Sequence, residues 1–203
     1  MTTLPVFLTA MLLLNITPGP DMLYVLARAS GQGRAAGLAS ALGIGAGCFF
    51  HIFAVAFGLA GLLRTVPMAY NAVRYAGAAY LIYLGVRTLL DRGAAVGTVT
   101  VAPASLSRIF FQGVITNVLN PKVAFFFLAF LPQFLDAHRS AFAQTVKLGL
   151  IFDCSGTTVN IVVALAASSL GDVLRRRIGG APAFRWLTGS VFIGLGLRMA
   201  HSD

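Results

Sequence analysis

Long apolar runs dominate the chain, and short polar stretches separate them. A helix that crosses a bilayer needs about 20 predominantly apolar residues. Six runs of this kind are present: Leu4–Ala27, Ala36–Leu63, Val66–Leu90, Ile109–Leu135, Ala143–Leu170 and Ala183–Ala200. The pattern predicts an all-α polytopic membrane protein, with six transmembrane helices in a single domain that spans residues 1–203.

Proline interrupts the first and the fourth apolar runs, and a charged side chain follows each interruption. The residues at the interruptions are Asn15, Thr17, Pro18, Gly19, Pro20 and Asp21 in the first run and Asn117, Asn120, Pro121 and Lys122 in the fourth. Proline removes a helical hydrogen bond, and the backbone groups that it frees need other partners. A charge near the bilayer centre costs at least about 2.5–3.5 kcal/mol, so it normally has a function or a partner. We therefore expect helices 1 and 4 to be broken and to share a polar site.

The composition agrees with a membrane protein. Of the 203 residues, 58% are hydrophobic and 10% are charged, whereas soluble domains are about 45–50% apolar and about 25% charged. In a soluble chain the net charge of +9 would suggest nucleic-acid binding. Here the arginines lie between apolar runs, as in cytoplasmic loops that face anionic lipid. The lipid bilayer is therefore an expected partner, and nucleic acid is not.

The distribution of basic residues predicts the orientation of the helices, because cytoplasmic loops are enriched in lysine and arginine. One set of alternate loops has nine basic residues, which are Arg28, Arg34, Arg87, Arg92, Arg108, Arg175, Arg176, Arg177 and Arg185. The opposite side has five, which are Arg64, Arg74, Arg139, Lys147 and Arg198. The richer loops are therefore predicted to be cytoplasmic, and both termini are predicted to be periplasmic.

A sequence pattern recurs in the two halves of the chain. Segments 74–87 and 185–198 share Arg, an aromatic residue, eight intervening residues and then Leu-Gly-x-Arg, at a constant offset of 111. The pair formed by proline and the charged residue recurs at an offset of 101, and Cys48 and Cys154 occupy comparable places in the second and fifth runs. Because these matches occur in the same order, they indicate an internal repeat.

We interpret the halves as two three-helix repeats, residues 1–92 and 106–203, joined by a cytoplasmic loop at residues 93–105. Since each repeat has an odd number of helices, the second must enter the membrane in the reverse direction. Inverted repeats are a common transporter architecture, with the substrate site near the midplane where broken helices meet. Asp21 and Lys122 would place charges of both signs there, and a zwitterion has one group for each.

The chain also resembles the LysE/RhtB family of bacterial amino-acid exporters. The resemblance rests on Thr-Pro-Gly-Pro at 17–20, the glycine-rich second run, Asn-Pro-Lys at 120–122 and the aromatic segment 125–134. It extends through nearly the whole chain. It implies efflux across the bacterial inner membrane of amino acids or close derivatives, such as homoserine, threonine, lysine or homoserine lactone, driven by the proton gradient. It does not identify the substrate.

The charged residues suggest how a small amino acid is bound during alternating access. Half-helix N-termini favour anionic groups, and half-helix C-termini favour cations. Asp21 is predicted to contact the substrate ammonium and Lys122 the substrate carboxylate, and the other residues at the interruptions complete the two halves of the site. The alternative is that Asp21 and Lys122 form a structural ion pair with each other and do not touch the substrate.

Three residues are candidates for proton coupling. Asp153 lies within the fifth apolar run, and a carboxylate removed from water exchanges protons more readily near neutral pH. Asp21 is the second candidate and His51 the third, because histidine changes its charge near physiological pH. The alternatives are a carboxylate that serves a helix–helix contact and a histidine that is hydrogen-bonded across helices.

Two other functions remain open at this stage. A membrane thiol-redox conduit would use Cys48 and Cys154, although the charges and not the thiols lie at the proline interruptions. A divalent-cation exporter would use Asp21, Asp153 and His51 as ligands, although the positive charge of Lys122 disfavours it. No cofactor, structural metal site or enzymatic activity is expected, because neither a nucleophile–base–orienter trio nor a glycine-rich nucleotide loop is evident.

Small residues spaced by four recur in two runs and permit close approach of helices. The first pattern is Gly43-Ile-Gly45-Ala-Gly47, and the second runs from Ser190 to Gly194. The contact lies either within one chain or between the two chains of a homodimer.

Overall fold

The fold is a helical assembly in which two broken helices pack against two long ones. The computed structural model describes residues 3–65, 102–136 and 138–178, together with separate helical positions within 75–90 and 186–200. The helices are α1 (Thr3–Ile16), α2 (Pro20–Gln32), α3 (Arg34–Thr65), α4 (Leu106–Val118), α5 (Pro121–Phe125) and α6 (Ala141–Ile178). A π-helical turn (Phe126–Phe130) and a 3₁₀ turn (Leu131–Phe134) continue directly from α5.

Both predicted interruptions are present. The axes of α1 and α2 differ by 43°, and those of α4 and the segment 121–134 differ by 46°. Pro20 and Pro121 each occupy the first turn of the helix that follows the break, where the missing N–H costs no hydrogen bond. Asn120 caps α5, because its side-chain oxygen accepts a 3.0 Å hydrogen bond from the Lys122 amide. The sequence therefore located both breaks correctly.

The long helices α3 and α6 contain apolar stretches, Arg34–Gly58 and Ala141–Ser168, that are long enough to cross a membrane. Each bent pair can supply one further crossing, so the described residues account for two to four spans. The predicted third and sixth helices fall largely outside the described residues. The six-helix arrangement in two inverted repeats therefore stays a prediction.

Two of the predicted helices ended too early in the sequence. Arg28 was placed in a loop, but it lies inside α2 and is only 5% exposed. Arg175, Arg176 and Arg177 were placed in the loop after the fifth helix, but α6 continues through them to Ile178. Hydropathy marks where apolar residues end, whereas a helix continues as long as its backbone hydrogen bonds do.

Glycines bring α3 and α4 into close contact. A Cβ atom at Gly43 would collide with the Phe110 carbonyl, and one at Gly47 would lie 2.7 Å from the Val114 carbonyl oxygen. From the other helix, a Cβ at Gly113 would lie 2.8 Å from the Ser40 carbonyl oxygen. The first small-residue pattern therefore serves a contact within one chain, while the second lies largely outside the described residues.

This contact predicts that substitutions of two glycines in α3 have different effects on stability. We expect Gly43→Ala to lower the free energy of unfolding by about 1–3 kcal/mol, because a methyl group there overpacks the α3–α4 contact. Gly58→Ala is the matched control, since a Cβ at Gly58 meets nothing within 4 Å. Thermal unfolding of the purified variants in detergent measures both. Equal melting temperatures for the two variants would contradict the inferred close approach.

Two apolar clusters enclose a polar layer. One cluster is rich in aromatic rings from α1, the π-helical turn and α6, and it includes Phe7, Phe126, Phe127, Phe130 and Phe152. The other cluster consists of smaller side chains from α2, α3 and α6, and it includes Val25, Leu26, Ala41, Ile44 and Ala164. The breaks in the first and second halves of the chain lie between these clusters, and they supply the buried polar groups of the layer.

Candidate functional site

The polar layer contains a small cavity of about 30 Å³. Its lining comes from both broken helices and both long helices, and consists of Asn15, Asp21, Met22, Ile44, Cys48, Asn117, Lys122, Val123, Phe152, Asp153, Gly156, Thr157 and Asn160. A water molecule occupies about 30 Å³ in the liquid and needs roughly 10–15 Å³ measured by probe centres. The cavity therefore has space for one or two waters.

The Lys122 side chain, from the second half of the chain, binds the C-terminal end of α1 in the first half. In a continuous helix the amide of residue 18 would donate to the Leu14 carbonyl, but Pro18 has no N–H. The Lys122 Nζ donates to this Leu14 oxygen at 3.1 Å and to the Thr17 oxygen at 2.9 Å. A cation at a helix C-terminus also interacts favourably with the helix dipole. Lys122 therefore compensates for the carbonyl that Pro18 leaves without a donor.

Asp21 lies in the first turn of α2, where the positive end of the helix dipole stabilises a carboxylate. One carboxylate oxygen, Oδ2, accepts a 2.8 Å hydrogen bond from the Asn117 side-chain amide. The other oxygen, Oδ1, is buried and has no protein partner among the described residues. Asp21 and Lys122 are each 8% exposed. They line one cavity, but the described part of the chain shows no ion pair between them within 4.0 Å.

The second break is compensated in the same manner as the first. Pro121 cannot donate to the Asn117 carbonyl one turn earlier, and this oxygen instead lies 3.0 Å from the Nε2 of His51 and accepts the Asn120 amide at 2.9 Å. The His51 ring also stacks on Phe127, with 6.0 Å between the ring centroids. His51 is therefore hydrogen-bonded across helices and does not line the cavity.

Asn15 connects the first broken helix to α6. Its side-chain amide donates to the Ser155 hydroxyl at 2.6 Å and to the Phe152 carbonyl at 3.3 Å. A Cβ at Gly156 would lie only 3.2 Å from the Asn15 side-chain oxygen, so glycine is needed for this approach. Asn15 thus belongs to the cavity wall and orients α1 against α6.

Asp153 and two further polar residues of α6 form the opposite wall of the cavity. Asp153, Thr157 and Asn160 are spaced by four and three residues, which places them on one face of the helix. The Thr157 hydroxyl donates to the Asp153 carboxylate at 3.3 Å. A Cβ at Gly45 would lie 2.6 Å from the Thr157 hydroxyl oxygen, so this glycine lets the polar face approach α3.

The prolines and Gly19 shape the site without lining its cavity. Pro18, Pro20 and Pro121 are exposed on the outer side of the breaks. A Cβ at Gly19 would lie 3.0 Å from the Lys122 Nζ, so glycine leaves room for the ammonium. Thr17 contributes its backbone carbonyl, because its hydroxyl is hydrogen-bonded to Leu13.

Sequence reasoning missed most of the walls of the cavity. The missed lining residues are Met22, Ile44, Cys48, Val123, Phe152, Gly156, Thr157 and Asn160. For Thr157 and Asn160 a signal was present, since their spacing from Asp153 places all three on one helical face. The apolar lining residues carry no such signal, because nothing distinguishes them from other membrane-buried side chains.

The structure gives little support to the thiol or metal alternatives. Cys48 is buried and lines the polar cavity, whereas Cys154 is exposed and lines a separate apolar groove with Leu12 and Leu150. Both cysteines are free thiols. Within the described ranges, no group of three or more His, Cys, Asp or Glu side chains is arranged to hold a metal ion.

The cavity has unused hydrogen-bonding capacity of both kinds. Asp21 Oδ1 and Asn117 Oδ1 are acceptors without a partner in the described part of the chain, and Asn120 Nδ2, whose residue does not itself line the cavity, is a buried donor without one. An ammonium group has three donors, and the hydrogen bonds of Lys122 to Leu14 and Thr17 use two of them. A buried polar group without a partner is costly, so these atoms indicate a ligand with both donor and acceptor groups.

Two kinds of comparison with known proteins, with family models and with individual relatives, agree on one family. The family model of the LysE type translocator matches residues 12–203. A leucine efflux protein of Salmonella typhimurium is 33% identical over 205 residues, which cover 96% of this chain and 92% of the relative. A homoserine/homoserine lactone efflux protein of the same species is 28% identical over 199 residues, or 97% of this chain and 95% of the relative. No solved structure matches the chain.

Proposed function

The chain belongs to the LysE type translocator family, and from this premise we propose that it exports an amino acid, or a close derivative, from the bacterial cell. It acts as a transporter in the inner membrane rather than as an enzyme. The substrate binds in the cavity between the two breaks and crosses the membrane by alternating access. The names of two relatives, leucine efflux protein and homoserine/homoserine lactone efflux protein, make leucine and homoserine the first substrates to test.

The unused hydrogen-bonding capacity at the two charges carries this proposal. Asp21 Oδ1 accepts from the substrate ammonium, with Asn117 Oδ1 beside it as a second acceptor. The third N–H of Lys122 and the Asn120 amide donate to the substrate carboxylate. A free α-amino acid carries these two groups on the same carbon atom. The absence of a direct ion pair among the described residues favours substrate binding over a purely structural pairing.

The small volume of the cavity supports a state of the transport cycle in which the site is too narrow for substrate. Measured by probe centres, the cavity has about 30 Å³, and one water molecule needs about 10–15 Å³ by the same measure, so the space fits one or two waters rather than an amino acid. The two broken helices must therefore separate on one side before substrate enters. The hydrogen bonds that cross between the halves, Lys122 to Leu14 and Asn117 to Asp21, are the contacts that such a movement rearranges.

Asp153 is the residue that we assign to proton coupling. It lines the same cavity as the two charges, and its hydrogen-bonding neighbours there are the uncharged Thr157 and Cys48 side chains. Asp21 is the second candidate, since it lies across this cavity. His51 is the third, because its ring is occupied by the Asn117 carbonyl. A proton on Asp153 would change the charge of the cavity by one unit and so couple the gradient to the cycle.

Uptake into inside-out vesicles tests the function and the coupling together. We expect wild-type vesicles to accumulate leucine or homoserine when their lumen is acidic, and a protonophore to reduce the accumulation. In Asp153→Asn vesicles we expect substrate exchange to persist, whereas accumulation no longer depends on the pH gradient. Asp136→Asn is a control, because Asp136 lies in another part of the chain, where it forms an exposed ion pair with Arg139. Accumulation by Asp153→Asn that still follows the gradient would exclude this assignment.

The orientation and the oligomeric state stay proposals. The Arg28 guanidinium donates to the Ala102 carbonyl, so the end of α2 and the linker before α4 lie on one side of the protein. This agrees with the assignment of both loops to the cytoplasm by the basic-residue count, and with periplasmic termini. A homodimer would have to use another surface, because the close contact of α3 with α4 is made within one chain.

A further inference from the structure

A row of polar side chains leads away from the cavity along α2. Asp21, Tyr24, Arg28 and Gln32 are spaced by three, four and four residues, so they share one face of the helix. This face meets α4 and the residues before it. The rise of a helix places Arg28 about 10 Å from Asp21 along the axis, towards the side that we assign to the cytoplasm. We call these side chains and their partners on α4 the polar seam.

The α2 side chains of the polar seam are bonded to α4 over its whole length. The single O–H of Tyr24 is shared between the Ile109 carbonyl at 2.8 Å and the Gln112 side-chain oxygen at 3.2 Å. The Arg28 Nη2 donates to the same Gln112 oxygen at 2.7 Å. Gln112 therefore joins two residues of α2 through a single neutral acceptor.

Arg28 and Gln32 also fix the linker that precedes α4. The Arg28 Nη1 donates to the Ala102 carbonyl at 3.1 Å and to the Gln32 side-chain oxygen at 2.6 Å. Gln32 in turn donates to the Ala104 carbonyl at 3.0 Å. The outer end of the seam is thus hydrogen-bonded to the residues that precede α4.

Arg28 is a buried cation that lacks an anionic partner among the described residues. Its side chain is 5% exposed, its guanidinium lies 5.6 Å from the centre of the Tyr24 ring, and its described hydrogen-bond acceptors are all neutral. The Nε atom is buried without a partner in the described part of the chain. Burying a charge without a counterion is costly. Such a residue is expected where an anion binds during part of a cycle.

We propose that Arg28 binds the substrate carboxylate at a second site, between the cytoplasmic surface and the cavity. Nε and Nη2 are adjacent donors on one edge of the guanidinium, and such an edge binds a carboxylate with two parallel hydrogen bonds. Nε has no described partner, and Nη2 is held only by Gln112, whose oxygen occupies the place of one carboxylate oxygen. The substrate carboxylate displaces Gln112, binds this edge, and then moves along the seam to Lys122. The proposal rests on the proposed export function.

Two substitutions at the seam test the site, with leucine uptake into inside-out vesicles as the assay. The cytoplasmic face is outside in these vesicles, so KM reports binding from that side. We expect Arg28→Gln to raise KM about tenfold or more, the loss typical of a charge-assisted hydrogen bond. We expect Gln112→Glu to raise KM as well, because its carboxylate pairs with Arg28 permanently and competes with the substrate. Arg34→Gln, which removes an exposed charge on the same side, should leave KM unchanged.

The two substitutions separate a carboxylate site from a simple latch. If Arg28 only held the seam closed, Arg28→Gln would favour the open state and lower KM, whereas Gln112→Glu would favour the closed state and raise it. Changes of KM in opposite directions, or an unchanged KM in both variants, overturn the proposal. Arg28→Lys keeps the charge but loses the paired donors, so an intermediate KM is expected even if Arg28→Gln inserts poorly. If the wild type takes up leucine, Lys122→Gln abolishes the uptake and Arg28→Gln leaves KM unchanged, the second site alone is refuted. If the wild type shows no uptake, the export function is refuted as well.

Discussion

Replacing Lys122 with glutamine will abolish transport while the protein remains inserted in the membrane. The substitution removes the positive charge that we assign to the substrate carboxylate, and it weakens the bonds that hold the Leu14 and Thr17 carbonyls. Removing one partner of a buried, hydrogen-bonded charge pair costs about 2–5 kcal/mol of binding free energy, which corresponds to a loss of substrate binding between about 30-fold and several thousandfold. Initial uptake of leucine or homoserine into inside-out vesicles, normalised to the amount of inserted protein, measures the effect.

Lys147→Gln provides the control for the charge itself. Lys147 is exposed on α6, so its substitution removes one positive charge without touching the cavity, and transport should remain close to that of the wild type. Thermal unfolding in detergent separates the loss of binding from the loss of fold. Full transport by Lys122→Gln in folded protein would refute the assignment of Lys122 to the substrate.

Replacing Asp21 with asparagine will also lower transport strongly, because it removes the charge that we assign to the substrate ammonium. Asparagine has nearly the same shape, and its side-chain oxygen can still accept the hydrogen bond that Asn117 now donates at 2.8 Å. The fold should therefore survive, whereas the attraction for the substrate ammonium is lost. A hydrogen bond to a charged group contributes about 1.5–3 kcal/mol, so uptake should fall by at least about tenfold. Inside-out vesicles again provide the measurement, with Asp136→Asn as the exposed control.

The two variants differ in which half of a zwitterion they still bind. With leucine as the substrate, its deaminated analogue 4-methylpentanoate should still stabilise Asp21→Asn against heat, because Lys122 and Asn120 remain available to a carboxylate. Its decarboxylated analogue 3-methylbutylamine should instead stabilise Lys122→Gln through Asp21. The reverse pattern would show that the roles of the two charges are exchanged, and stabilisation by neither analogue would favour a purely structural pair.

The breaks could be predicted because they depend on local chemistry. Because proline has no N–H, it disturbs a helix wherever it lies, and Pro18 and Pro121 therefore predicted both interruptions. The charged residues beside them predicted the polar layer. Which atoms replace the missing hydrogen bonds depends on distant segments. Lys122 comes from the second half of the chain to the Leu14 carbonyl, over 108 residues, and His51 lies beside the Asn117 carbonyl, 66 residues away.

Arg28 shows the opposite case, in which a sequence rule indicated the wrong environment. The rule that basic residues mark cytoplasmic loops counts charges, and it contains no information on burial. Arg28 is buried because α2 continues beyond it and because Gln112 and the Ala102 carbonyl are positioned to accept from it. The face that Asp153 shares with Thr157 and Asn160 was visible as a helical spacing, but its approach to α3 depends on the absence of a side chain at Gly45.

The sequence alone determined the helical class, the apolar runs, the two interruptions and the presence of one charge at each, since these follow from hydropathy and from the covalent structure of proline. Only the tertiary structure decided that the two charges line one small cavity without a direct ion pair among the described residues, that α6 forms its opposite wall, and that Arg28 lies buried between α2 and α4. The physical reason is the range along the chain over which each interaction acts. Backbone hydrogen bonds and hydrophobicity act along a single helix, whereas the partner of a buried polar group is fixed by the distances at which separate helices pack.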